Sequence, residues 1–141
     1  MSEETFPKSA YQKVGGLRYF ARMLDKMRLH AAGRLPEAYH ANLGKGADGW
    51  CCGFLHIDYT ALRDHVLATG ADDESALTWC QQNGRVLNDT DVLVYNAFCQ
   101  KLGWNDFATK LLARYKEESG LADRDDIQVM IDYFDADEGR K

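Results

Sequence analysis

Proline is scarce in this chain: two residues among 141, Pro7 and Pro36. No Pro- or Ser-rich tract and no repeat of fixed period occurs, so neither a linker between domains nor a solenoid array is expected. No run of about 18 apolar residues exists, which excludes a membrane-spanning helix. The four cysteines, Cys51, Cys52, Cys80 and Cys99, have neither zinc-site nor C-x-x-C redox spacing. Adjacent Cys51 and Cys52 suit packed thiols better than a strained vicinal disulfide. The first residues, Met1 to Pro7, are acidic and lack an apolar signal core. The expectation is a cytoplasmic protein with reduced, mostly buried cysteines. Strand alternation is missing as well. Val92-Leu93-Val94-Tyr95 is the single β-like run, and the Asn88-Asp89 cap before it and Asn96-Ala97-Phe98-Cys99 after it favour helix.

What is present is an ordinary globular composition, 45% hydrophobic and 28% charged, in a chain long enough for one domain with a real core. Net charge is −5, but it is unevenly spread. Residues 1–46 carry eight Lys/Arg against four Asp/Glu, and residues 47–141 carry nine against eighteen. Such asymmetry suits either a basic face for an anionic ligand or a basic helix packed against acidic ones within the domain. Nucleic acid is not an expected partner, since no recognised binding motif is present.

The stretch Gly15-Gly16 to Gly33 reads as one helix, from about Leu17 to Ala32, with Gly33 as its C′ residue. At about 100° per residue its apolar positions, among them Tyr19, Met23, Leu24, Met27 and His30, cover an arc of roughly 220°. An arc that wide exceeds what one neighbour can cover, so this helix is expected at the centre of the bundle. Arg18, Arg22, Asp25 and Lys26 share the remaining arc with Leu29. Arg28 falls inside the apolar arc and needs an acid, with Asp25, Asp58 or an acid of the C-terminal half as candidates.

Residues 1–13 read as an N-terminal arm docked by Phe6, Pro7 and Tyr11, and 14–141 as a single helical domain. Pro36 to Tyr39 suit one helical turn, and 42–49 the longest structureless stretch. The rest is a run of short helices with acidic or Asx caps and glycine stops. Asp48 caps a helix through Leu55, Asp58 one from Tyr59 to Thr69, and Asp72 one from Asp73 to Gln82. Asn88 or Asp89 opens a helix ending near Gly103, Asn105 or Asp106 opens Phe107 to Glu118, and Asp123 opens the last. The fold class is therefore all-α, a compact bundle of about six or seven helices around a central first helix.

The chain resembles a bacterial family of unknown function, domain-of-unknown-function family 5069. The likeness rests on Gly15-Gly16, on Ala21-Arg22-Met23-Leu24-Asp25-Lys26-Met27-Arg28, on Gly33 with Tyr39 after it, and on Asp73-Glu74 leading to Trp79. It covers most of residues 9–84. It implies a small bacterial domain and brings no activity, cofactor or catalytic residue with it.

Arg22, Asp25 and Lys26 stand within one turn, where two cations can hold a phosphate or carboxylate, or simply form a solvated ion-paired face. Gly44-Lys45-Gly46-Ala47-Asp48-Gly49 spells G-x-G-x-x-G, but no strand precedes it and no Ser or Thr follows Lys45, so a lid or turn is expected rather than a nucleotide site. Cys52 and His56, four apart, make half a zinc site or a thiol-base pair at most, with His40 and Cys51 as guesses for further ligands. No metal and no cofactor is expected. His30 reads as a core histidine with a general base as its alternative, and Trp50, Trp79 and Trp104 as core or hinge packing. The expected function is a non-catalytic binding or regulatory module for a small anionic ligand or a partner protein. Its site residues would be Arg22, Asp25, Lys26, a buried orienting Arg28, and His30. The alternative is a small enzyme with a pocket between helix 17–32 and segment 42–56, where His30 or His56 moves protons.

Overall fold

Polar caps divide the chain into helices. The Asp58 carboxylate accepts the Ala61 N–H at 3.0 Å, Asp72 accepts that of Ser75 at 2.8 Å, and Asn88 forms a reciprocal capping box with Asp91. A computed structural model describes residues 5–141; the first four residues of the expected 1–13 arm lie outside the described residues. In order come α1 (Phe20–Ala31), a 3-10 turn (Glu37–Asn42), α2 (Ala47–Leu55), α3 (Tyr59–Thr69), α4 (Asp73–Asn83), α5 (Asp89–Lys101), α6 (Thr109–Glu118) and α7 (Met130–Asp137). Among the described residues the only β-type pairing is an isolated bridge between Val14 and Leu17, so the domain is all-α.

Where elements start later than expected, a competing hydrogen bond explains it. α1 begins at Phe20 because Val14 and Leu17 exchange two backbone bonds of 2.9 Å across a turn whose Gly15 and Gly16 have φ of +55° and +81°. α6 begins at Thr109 because the Asp106 carboxylate takes the N–H groups of Gly103 and Ala108. α7 begins at Met130, not at Asp123, because the Lys116 ammonium binds the Arg124 and Ile127 carbonyls at 2.8 and 3.0 Å and holds the preceding segment irregular.

Two apolar clusters form the core. The larger gathers Leu17, Phe20, Met23, Leu24 and Met27 around α1 with Cys51, Leu55, Leu62, Val66, Leu77 and Cys80. The smaller joins Leu102, Ala108, Leu112, Ile127, Met130 and Tyr133, and Phe98 and Phe134 pack against both. The segment before Gly15 is bolted across α1 and α7: Pro7 and Ala10 are buried, Tyr11 donates to Asp132 at 2.5 Å, and Ser9 donates to Asp135 at 2.8 Å.

All four cysteines are buried and unpaired. Burial pushes the thiols of Cys52 and Cys80 up to about 12 and that of Cys99 to about 11. A disulfide-exchange reagent is expected to titrate none of them in the native protein at neutral pH, and all four after denaturation. Gly84 is a close-packed point of another kind, because a Cβ there would lie 2.1 Å from the Leu55 carbonyl oxygen. Gly84→Ala must push α4 away from α2, an expected cost of about 1–3 kcal/mol in a urea melt.

Candidate functional site

α1 has apolar neighbours on nearly every side, and this buries its charges too. Arg22 and Lys26 are 3% and 6% exposed. A buried cation needs an acid, and each finds one far away in sequence. The Arg22 guanidinium grips Glu138 in a two-pronged pair of 2.8 and 2.7 Å. Glu138 also accepts the Tyr39 hydroxyl at 2.6 Å and a bond from Arg140. Burial opposes ionisation of Glu138, but the Arg22 hydrogen bonds and charge, with Tyr39 and Arg140, hold its pKa below the ordinary carboxylate value.

The Lys26 ammonium lies 2.9 Å from Asp48 Oδ1 and 3.3 Å from the Tyr19 hydroxyl, which itself donates to Asp48 Oδ1 at 2.6 Å. The other Asp48 oxygen accepts the Gly44 N–H at 3.0 Å. Asp48 is fully buried in the first turn of α2, so it anchors the glycine loop instead of capping the helix, a role that falls to Gly46. Burial lowers the Lys26 pKa, and the Asp48 charge and hydrogen bond only partly oppose that. Burial likewise pushes the Tyr19 hydroxyl up, reinforced by the Asp48 charge. Tyr19 holds φ +70° and ψ −31°, a sparsely populated backbone state for a side chain of its size.

Both cations line a cavity of about 350 Å³ at the seam of the two apolar clusters. α1 supplies Arg22 and Lys26, and the 3-10 turn supplies Ala38, Tyr39 and Asn42. The glycine loop and α2 add Lys45, Gly46, Ala47 and Trp50, while α6 and α7 close the far side with Leu111, Tyr115, Met130, Tyr133 and Phe134. Trp50 is 40% exposed and meets Phe98 and Phe107 edge-on at ring distances of 5.9 and 5.3 Å. The charges on the wall balance: Arg22, Lys26 and Lys45 face Glu118, Asp137 and Glu138. An ammonium has three N–H groups, and among the described residues Lys26 finds two acceptors, Tyr19 and Asp48, which leaves one donor over.

The expected site therefore divides. Arg22 and Lys26 come together on the cavity wall, buried rather than on a solvated face. Asp25 does not join them; its carboxylate accepts the Lys8 backbone N–H at 3.0 Å and ties down the N-terminal segment. Arg28 is half-buried, not a buried orienting charge, because it reaches out of the apolar arc to Asp73 at 2.7 Å and the Ala71 carbonyl at 3.0 Å. It sits with Lys8 and Asp73 in an open surface depression away from the cavity. His30 is exposed, since the last turn of α1 projects past its neighbours, and it meets His40 edge-on at 4.8 Å. His56 is exposed at the left-handed end of α2 while Cys52 points into the core beside Met23. No group of three or more His, Cys, Asp or Glu that could hold a metal occurs among the described residues. Trp50 and Trp104 are partly exposed rather than core residues.

Tyr19, Asp48, Tyr39 and Glu138 complete the site and were legible only in part. Asp48 reads as a helix cap and Tyr19 as one more apolar position. Glu138 lies in an acidic C-terminal run without periodic signal. One sign was available: a helix surrounded by neighbours cannot leave Arg22 and Lys26 in water, so each implied a buried acid elsewhere.

Fold and site define a small all-α protein with a ligand-sized cavity between two hydrophobic clusters, walled by aromatic rings and buried ion pairs. The chain belongs to the family described as Domain of unknown function (DUF5069), whose model matches residues 4–140 and so takes in every residue of this cavity. No curated protein matches it. Among the described residues no helix is long and apolar enough to cross a membrane.

Proposed function

We propose that this protein is a non-catalytic binding module for a small molecule with an aromatic or apolar body and one carbonyl-type acceptor end, such as a monocarboxylate. The observation that carries this reading is the unused Lys26 donor on the wall of an aromatic-lined cavity. The 350 Å³ volume is at the small end of ligand pockets and suits a single ring with substituents better than a protein segment. The pairing of the two buried cations favours a neutral acceptor or a monoanion over a phosphate, because Asp48 and Glu138 already neutralise them. Buried, unpaired cysteines suit a reducing compartment, and with the family resemblance they support a bacterial, cytoplasmic setting.

The test is a titration with benzoate and phenyl phosphate, followed by Trp50 fluorescence and thermal shift. Benzoate at 100 times its Kd is expected to add about 2.7 kcal/mol of stability. Ala38→Phe, which fills the cavity from its outer wall, should abolish that gain while leaving the melting of the free protein nearly unchanged. Tighter binding of phenyl phosphate than of benzoate, or a benzoate effect that persists in Ala38→Phe, would overturn the assignment.

A further inference from the structure

Lys26 is more than a hydrogen-bond donor in this cavity. It is a primary amine held beside a carboxylate and a hydroxyl, the set of groups that moves protons during condensation with a carbonyl. We propose that Lys26 captures carbonyl compounds: its Nζ condenses reversibly with a small aromatic aldehyde or ketone seated in the cavity, giving a protonated imine and water.

The geometry supplies each proton. Asp48 Oδ1, 2.9 Å away, accepts one proton from the ammonium and leaves a neutral amine. The amine lone pair attacks the carbonyl carbon; a C–N bond forms and the carbonyl π pair moves to oxygen. The Tyr19 hydroxyl, within reach of both Lys26 and Asp48, relays a proton from nitrogen to that oxygen. The Asp48 proton then leaves with the hydroxyl as water, and the nitrogen lone pair closes the C=N bond. Ammonium plus carbonyl becomes iminium plus water, with no net proton or charge exchanged. The fully buried Asp48 carboxylate faces one positive charge before the reaction and one after it, so the buried ion pair survives. Burial, by lowering the Lys26 pKa, favours the neutral amine needed at the start. Lys45 lines the same cavity but is exposed and has no such partners among the described residues, which makes it an internal control.

The inference rests on the pocket reading, and one experiment separates the two. The full-length protein is incubated at neutral pH with 4-hydroxybenzaldehyde and cyanoborohydride, and adducts are located by peptide mass mapping. A single adduct per chain is expected, on Lys26 ahead of Lys45, and lost in Lys26→Arg, which keeps the charge beside Asp48. Ala38→Phe, with Lys26 intact, should also lose it. Adducts spread over the surface lysines with Lys26 unmodified would overturn the proposal without relying on any variant's folding. If benzoate nonetheless binds, only the condensation falls; if neither benzoate nor the aldehyde protects the fold, the pocket reading falls with it.

Discussion

Asp48→Ala is expected to destabilise the protein by about 3–5 kcal/mol, the usual cost of leaving a buried charge without its partner. Three groups lose their acceptor at once: the Lys26 ammonium, the Tyr19 hydroxyl and the Gly44 N–H. At this chain length each kcal/mol moves the melting temperature by a few degrees, so a drop on the order of 10 °C should be seen by calorimetry. The double variant Lys26→Met, Asp48→Ala should be more stable than Asp48→Ala alone, because removing the stranded cation removes most of the desolvation cost. A double variant no better than the single would mean that the loss comes from the Gly44 loop and not from the ion pair.

Glu138→Gln should cost a comparable 3–5 kcal/mol at neutral pH, since it strands the Arg22 guanidinium, which is 3% exposed. This loss has a pH signature. The folded carboxyl titrates below its unfolded value, so its contribution is complete above that unfolded value, about 4.3, and is lost as pH falls through the lower folded value. The stability difference between wild type and Glu138→Gln should therefore be flat from pH 5 to 8 and shrink as pH drops below about 4. Urea melts across that range read it directly. A difference constant down to pH 2 would show that Glu138 acts through packing rather than charge.

Local signals in the sequence reached far into the fold. The Asp58, Asp72 and Asn88 caps are where their side chains and spacing demand, because a cap is a contact over three residues and needs no tertiary information. Gly33 and Gly70 end α1 and α3 for the same reason. The centrality of α1 followed from the width of its apolar arc. Errors arose where a polar group had a choice. Asp106 bonds backward to Gly103 as well as forward, Lys116 claims two carbonyls that a longer α7 would have used, and the Val14–Leu17 bridge delays α1.

By itself, then, the sequence determined that the protein is helical, roughly where its helices begin and end, and that α1 is its hub. Only the tertiary structure decided what the charges of that hub do. Arg22 and Lys26 are four residues apart, yet one closes on Glu138 and the other on Asp48, 116 and 22 positions away. Asp25, between them, turns instead to Lys8. Pairing at such separations is set by which helices meet across the core, and the attraction between any cation and any acid is much the same. Periodicity can therefore say that a charge is buried, and only the packing of the helices can choose its partner.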